Sequence, residues 1–230
     1  MRWTVKLALA ALLTATAQQS VSQTVVDERP LFSVALGMGA GIHSAPSLVD
    51  FISSYGTTSS GERLDKFSSM VEFYIAPAVR VEPQWSVGVE YALLLKSHTV
   101  GNSSSSSGAE FSYLVHMPTA IVHYIIDEPA YNLRFGGGAG YHLATLTQTL
   151  RVFGAEEQFS ASGVGVKLEA VGNTKFDDTF YGNIGVDMRW DFLGSLKNAA
   201  GVPAYNRATN AEATMRFFSL SLKFGVLFQL

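Results

Sequence analysis

The sequence predicts an all-β chain, an eight-stranded antiparallel up-and-down transmembrane β-barrel. Three observations predict it. Eight stretches alternate apolar and other residues with period two, the signature of a strand with one apolar face. Their connections run long, short, long, short along the chain, which is the layout of sequential hairpins with one elaborate rim and one plain rim. The face opposite the apolar one is rich in glycine, alanine and charge, which suits the interior of a narrow barrel. The bulk numbers agree. The chain has 230 residues, no cysteine, a net charge of −3 and 47% hydrophobic residues. That length fits one all-β domain. The charge is too small for a nucleic-acid footprint, so no nucleic acid is expected as a partner. The lack of cysteine excludes disulfides, a thiolate nucleophile and a lipid-modified N-terminal cysteine. No apolar run reaches the roughly 18 residues of a spanning helix.

The first segment, residues 1–22, reads as a signal peptide. Met1 to Lys6 carries the positive charge, and Leu7 to Leu13 is a short apolar core. Ala15-Thr16-Ala17 and Ser20-Val21-Ser22 are two candidate cleavage sites. Residues 23–30 then form a short periplasmic lead ending at Pro30, and residues 31–230 form the barrel domain.

The strands follow in order. Leu31 to Ile42 places Phe32, Val34, Leu36, Met38, Ala40 and Ile42 on one face. Met70 to Val81 aligns Val71, Phe73, Ile75, Val79 and Val81, and after Glu82-Pro83-Gln84 the stretch Trp85 to Lys96 aligns Trp85, Val87, Val89, Tyr91, Leu93 and Leu95. Phe111 to Ile126 is the fourth strand, with a bulge or edge irregularity expected at Pro118. Tyr131 to Leu146 aligns Leu133, Phe135, Ala139, Tyr141 and Leu143. The sixth strand is expected over Ser162 to Asn173 after a loop from Val152 to Ala161, and the seventh over Phe180 to Leu193. The eighth is the C-terminal stretch, where Phe218, Leu220, Leu222, Phe224, Val226, Phe228 and Leu230 share one parity. Ser103 to Ser107 reads as a flexible loop tip. In the first long loop, Ser47 with Asp50 suggests a helix start and Gly56 a stop, with Leu48, Phe51, Ile52 and Tyr55 as its apolar stripe over the barrel mouth.

The non-apolar face decides where the apolar one points. It holds Gly37, Gly39, Gly41, Gly88, Gly136, Gly138 and Gly140. Glycine weakens a strand and a solvent-facing surface has no need of it. The same face carries Glu72, Arg80, Glu90, Lys96, Arg134, Lys167, Glu169, Asp187, Arg189, Asp191 and Lys223. Enclosed charges are tolerated when paired, and this near-balance of acids and bases permits it. The apolar face therefore points out, into lipid, with strands of about 10–12 residues matching the hydrocarbon thickness. Trp85, Tyr131 and Phe180 are expected in an aromatic girdle at the short-turn rim and Tyr113, Trp190 and Phe218 in one at the long-loop rim, with Phe228 as a further girdle residue.

The signal peptide, the eight strands, the alternating loops and the C-terminal strand resemble the small outer-membrane barrels of OmpX and OmpA type. The stretch Tyr113-Leu-Val-His-Met-Pro-Thr-Ala-Ile-Val-His-Tyr124 is similar to the fourth strand of outer-membrane β-barrel proteins of Bacteroidetes-like bacteria. The last strand also resembles the signal by which such proteins are recognised for insertion, although it ends on Leu230, with Phe228 two residues before, where the family usually has a terminal aromatic. The resemblance implies the outer membrane of a Gram-negative bacterium, contact with its lipid, and the barrel-assembly machinery as a partner during insertion.

The chemistry-bearing residues are few. The five histidines, His43, His98, His116, His123 and His142, form no metal-binding spacing, and no metal or cofactor is expected. Asp187, Arg189 and Asp191 line one face of the seventh strand, where a lumenal salt-bridge ladder with Lys167, Lys223 or Arg80 is the expected reading. Gly136-Gly-Gly-Ala-Gly140 lacks the Lys-Ser/Thr of a phosphate loop and reads as room for bulky neighbours. The pattern therefore points to a non-enzymatic barrel with a structural or surface-interaction role. It would display four long extracellular loops around a charge-filled lumen and meet an extracellular ligand or surface partner through them. The alternatives are a narrow pore for small solutes and, third, an envelope lipid-modifying enzyme, which would need a His/Ser/Asp cluster converging at the outer rim.

Overall fold

A strand can leave no backbone N–H or C=O unpaired in hydrocarbon, so a sheet that faces lipid has to close on itself. The computed structural model describes residues 31–57, 64–65, 67–101, 108–150 and 154–230. The signal peptide, the lead before Pro30 and the Ser103–Ser107 loop tip lie outside the described residues. The elements are β1 (Phe32–Ser44), α1 (Pro46–Ser53), β2 (Phe67–Glu82), β3 (Trp85–Gly101), β4 (Gly108–Asp127), β5 (Tyr131–Leu150), β6 (Ala155–Lys175), β7 (Phe180–Ser195), the two-residue β8 (Lys197–Asn198) and β9 (Thr214–Gln229). Each barrel strand pairs antiparallel with the next, and β9 pairs with both β7 and β1. The closing seam runs from Ser33 opposite Gln229 to Ser44 opposite Phe218. The result is an eight-stranded closed barrel, with β8 added to the long-loop end of β6.

The period-two pattern sorts the side chains. Leu36, Phe73, Val89, Leu168, Ile184 and Leu222 are exposed on the outside, whereas Glu72, Glu90, Lys167, Arg189 and Lys223 are buried inside. Followed toward the long-loop end, the outward positions change from apolar to small and polar at Ser44, Ser69, Ser97, Ser112, Thr145 and Ser162. Those residues mark one edge of the apolar belt. Outward polar groups satisfy each other, with Tyr141 hydrogen-bonded to Ser162 at 2.8 Å at that edge and Tyr91 to His116 at 2.5 Å within the belt. Two inward glycines show why the lumen needs them. A Cβ at Gly138 would collide with the carbonyl oxygen of Ala120, and one at Gly39 would sit 2.7 Å from the Glu72 side chain.

Four expectations are corrected. The barrel strands run from 13 to 21 residues, longer than a bilayer requires, because β3 to β6 continue past the belt. The stretch from 155 to 161 belongs to β6, since it pairs in register with β5 up to Leu150 opposite Ala155, so no loop fills it. Pro118 causes no bulge. His116 opposite Leu143 and Thr119 opposite Gly140 keep one register across it, so the proline only removes a donor from the ladder. The register shifts lie at Arg80/Glu82 and Phe192/Ser195 instead. The helix begins at Pro46, a residue that suits the first turn, and Ala45 gives no side-chain cap. The Ser47 hydroxyl instead accepts the backbone N–H of Thr214 at 2.9 Å.

The wall is uneven at the long-loop end. The β2–β3 ladder stops at Val71 opposite Leu95, while β3–β4 continues to Gly101 opposite Gly108. Lys96 Nζ donates to the Ser69 carbonyl at 2.5 Å where the two strands part. On the other side, β6 leaves β7 at Gly163 opposite Leu193. A sheet of β3 to β6 therefore stands beyond the belt. Val186, 44% exposed on the outer face, tests the side assignment. Val186→Arg should cost about 2–4 kcal/mol of insertion if it lies near the midplane. The lumenal Ala78→Ser should leave membrane recovery close to that of the unmodified protein. Equal recovery of the two variants in the membrane fraction would refute the assignment.

Candidate functional site

The inward parity of β2, β3, β6, β7 and β9 brings seven charged side chains to one level of the lumen. Lys167 Nζ lies 2.5 Å from Glu90, 2.8 Å from Glu169 and 3.4 Å from Asp187. Lys223 Nζ lies 2.6 Å from Glu90 and 3.1 Å from Glu169. The Arg189 guanidinium reaches Glu72 at 3.3 Å, Glu90 at 3.2 Å and Asp187 at 3.3 Å, and Met117 Sδ at 2.9 Å. Ser221 Oγ is 2.5 Å from Asp187 and 3.1 Å from Glu72, and His123 Nε2 is 2.6 Å from Glu169. Every one of these side chains is buried. Each carboxylate meets at least one cation, which offsets the desolvation that an enclosed charge would otherwise suffer.

Neutral layers flank this cluster. Toward the short turns, Tyr74 donates to Asn183 at 2.8 Å, Asn183 to Asn173 at 2.7 Å, and Asn173 to Asn132 at 2.8 Å. Arg134 ends this amide ladder on Asn132 and Ser33. A cavity of about 30 Å³ between Glu90, His123, Arg134 and Lys223 has room for about one water. Toward the long loops, Asp191 hydrogen-bonds His142 Nδ1, and His142 Nε2 lies 3.1 Å from Thr119 Oγ1. Above it, His43 joins Ser68 at 3.3 Å and the Tyr113 hydroxyl, with His98 stacked on the Tyr113 ring. The mouth is then filled by α1. Leu48, Phe51 and Ile52 are buried, with Phe51 edge-on to Phe111 at 5.8 Å and to Phe159 at 6.2 Å. The segment before β9 pins the helix. Asn206 donates to the Asp50 carbonyl at 2.8 Å, and the Arg207 guanidinium lies 3.8 Å over the Tyr55 ring.

The sequence-selected residues divide accordingly. Glu72, Glu90, Lys167, Glu169, Asp187, Arg189 and Lys223 meet in the central cluster. Asp191 pairs with His142 instead, and Arg134 belongs to the amide layer. Arg80 lies at the short-turn rim on Asp127 at 2.5 Å, away from the seventh-strand acids, and Lys96 lies at the opposite end. Trp85, Tyr131 and Phe228 are exposed on the outer face, and the rings pair as Trp85–Tyr124, Phe180–Phe228 and Trp190–Phe218. Tyr113 is a correction. It is buried in the lumen against His43 and His98 and takes no part in an outer girdle. The long-loop half of the lumen is itself apolar, with Phe111, Val115 and Met117 inside, so apolar character does not separate the two faces of β4. Sequence reasoning weighed His123 and His142 only as metal ligands, and it missed Ser221 and the three asparagines. Their parity carried the signal, but it was read only for the acids, lysines and arginines.

Two hydrogen-bonded chains have the composition of catalytic relays, and both are closed. Asp191, His142 and Thr119 are each at most 1% exposed. His43 is also buried, and its second ring nitrogen is taken by the Tyr113 hydroxyl. Among the described residues no group of three His, Cys, Asp or Glu side chains could hold a metal ion.

No family model matches the chain, and no curated protein does. Among solved structures, it is similar to Ail, the attachment invasion locus protein of Yersinia pestis, in complex with the heparin analogue sucrose octasulfate. The identity is 12%, the coverage 88% of this chain and 99% of that one, and the TM-score 0.50. Neisserial surface protein A matches at 14% identity over 86% of this chain and 97% of that one, with a TM-score of 0.44. The outer membrane protease OmpT from Escherichia coli matches at 6% identity over 92% of this chain and all of that one, with a TM-score of 0.41. The first likeness is one of fold, that of the small eight-stranded outer-membrane barrels.

Arg189, fully buried against three carboxylates, is the most consequential lumenal side chain. Arg189→Ala should destabilise the barrel by about 3–5 kcal/mol, because it leaves buried acids short of a partner. The check is the urea midpoint of the folded, faster-migrating gel band, which should fall. An unchanged midpoint would mean that the cluster contributes nothing to stability.

Proposed function

We propose that the chain is an integral barrel of the outer membrane of a Gram-negative envelope, and that its role is structural and surface-interacting rather than enzymatic. One observation carries the reading. The lumen is occupied from end to end by amides, paired charges, buried polar relays and the α1 plug, while β3 to β6 continue past the apolar belt as a standing wall. The elaborated surface is therefore on the outside, at the long-loop end. An even strand number returns both ends of the barrel to the short-turn side, which faces the periplasm in this reading. The long connections, α1 and β8 then face outward and offer their polar surface to a ligand or a partner. Barrel lipid contact and insertion through the assembly machinery, guided by β9, belong to the same proposal.

The pore alternative makes a different forecast. In planar bilayers the unmodified protein should give no resolvable conductance. Deleting residues 46–53, which removes α1, should also leave the bilayer silent, because the Glu90–Lys167–Arg189 cluster still closes the lumen beneath it. Stable single-channel steps from either protein would replace the surface role with transport. Heat modifiability of the extracted protein, run with and without boiling, should accompany the recording and show a folded band for both.

A further inference from the structure

On the outer face of the belt, β3 and β4 carry a polar pair at a depth where the surroundings are acyl chains. The Tyr91 hydroxyl and His116 Nδ1 are 2.5 Å apart, with the two rings 6.0 Å apart and tilted by 46°. Both residues have outward parity. Tyr91 is 42% exposed and His116 is half-buried. His116 lies four positions inside Ser112 and Tyr91 six inside Ser97, the belt-edge residues of their strands. On a tilted strand four positions bring His116 roughly 10 Å below that edge, among chains that offer no hydrogen bond. One bond does not exhaust the pair. If the hydroxyl donates to Nδ1, His116 Nε2–H is a spare donor and the Tyr91 oxygen a spare acceptor. If Nδ1–H donates instead, Nε2 is the spare acceptor and the hydroxyl the spare donor. Either way one donor and one acceptor face lipid, and among the described residues neither has a second partner. A polar group left unmet in hydrocarbon is costly. The wall beside the pair is low. Pro118 lies opposite Tyr91, Ala120 opposite Ala139 and Gly137 opposite Val122, all on the outward parity.

We propose that this face of β3 to β5 is a contact between two copies of the chain in the membrane, related by a two-fold axis along the membrane normal. The occupant follows from the hydrogen-bond inventory. A pair with one spare donor and one spare acceptor is complementary to itself, so the same surface on both copies closes both bonds at once. An axis along the normal keeps equal depths together, which brings His116 of one copy to Tyr91 of the second copy. Lipid supplies no such partner at this depth. The small residues beside the pair let a second wall come close. The dimer holds two sets of long loops side by side, so the surface role gains two attachment points in place of one. The inference rests on the outer-membrane reading given above.

The test uses the full-length protein folded into phosphatidylcholine vesicles. The chain has no cysteine, so single introduced cysteines report proximity by disulfide formation under mild oxidation. Pro118→Cys, beside both members of the pair, should give a dimer on a non-reducing gel. Leu222→Cys, exposed on β9 across the barrel, should stay monomeric. Adding His116→Leu or Tyr91→Phe to Pro118→Cys should lower the dimer yield about fivefold or more, because each change takes a group from both bonds. Equal yields from Pro118→Cys and Leu222→Cys overturn the proposal, since both then report random collision. A yield undiminished by His116→Leu and by Tyr91→Phe overturns it as well, since the contact is then not held by the pair. Both changes leave side chains that lipid accepts, and each protein is first checked for its heat-shifted folded band. Absence of that band in the unmodified protein counts against the membrane reading itself, and so is distinguishable from a folded barrel that stays monomeric.

Discussion

Inside hydrocarbon a backbone amide has no water to fall back on, and this single constraint organises the molecule. It demands the seam between β1 and β9, without which Ser33 to Ser44 and Phe218 to Gln229 would present open edges to lipid. Closure at eight strands then fixes the lumen at a width that side chains just fill. From that width follow the glycines opposite bulky neighbours, such as Gly39 beside Glu72, and the need for every enclosed charge to find a partner across the barrel. The outer face, relieved of any packing duty, is free to be apolar. The inside-out distribution of polarity is thus a consequence of closing a sheet in lipid.

The interior is graded along its axis. Amides occupy the short-turn end, ion pairs the middle, histidine relays the next level and an apolar plug the mouth. Burying a charge is costly, so a cluster such as Glu72, Glu90, Glu169 and Asp187 with Lys167, Arg189 and Lys223 is weak evidence for net stability over an apolar filling. Its effect on arrangement is clearer. Lys167 and Glu90 are 77 residues apart in sequence, and Arg189 and Glu72 are 117 apart, so each pair ties strands that are not neighbours in the sheet. A slip of one residue in any of these strands would turn a buried charge toward lipid. The cluster therefore specifies register.

Most of the fold was legible because one parity is apolar on nearly every strand and the turns at the plain rim are short. Val87, Val89 and Tyr91 point out by the same rule that sends Glu90 in. Legibility failed where that contrast vanished. On β4 both faces are apolar, with Met117 and Ile121 inside and Val122 and Ile126 outside, and Tyr113 was therefore placed on the wrong face. The extension of β6 back to Ala155 was hidden because Glu156, Glu157 and Gln158 lie beyond the lipid, where alternation of polarity is not required. The pairing of the lumenal charges was illegible for a different reason. Parity tells which side chains face inward, but which carboxylate meets which cation depends on strand stagger, and no local pattern records it.

The order in which the strands meet has a kinetic consequence. Among the eight barrel strands every pairing but one joins successive strands of the barrel, so most of the wall can assemble by hairpins whose loops close cheaply. The exception is the seam, where Ser33 must find Gln229. That encounter involves almost the whole barrel domain, and the two strands that make it are edges until it happens. A partly assembled chain therefore carries two sticky edges for as long as the seam is unmade, and these are the places where it would pair with a second chain. The slowest step of assembly and the greatest hazard of misassembly are the same event, and a catalyst of insertion would act chiefly by shepherding β9 to β1.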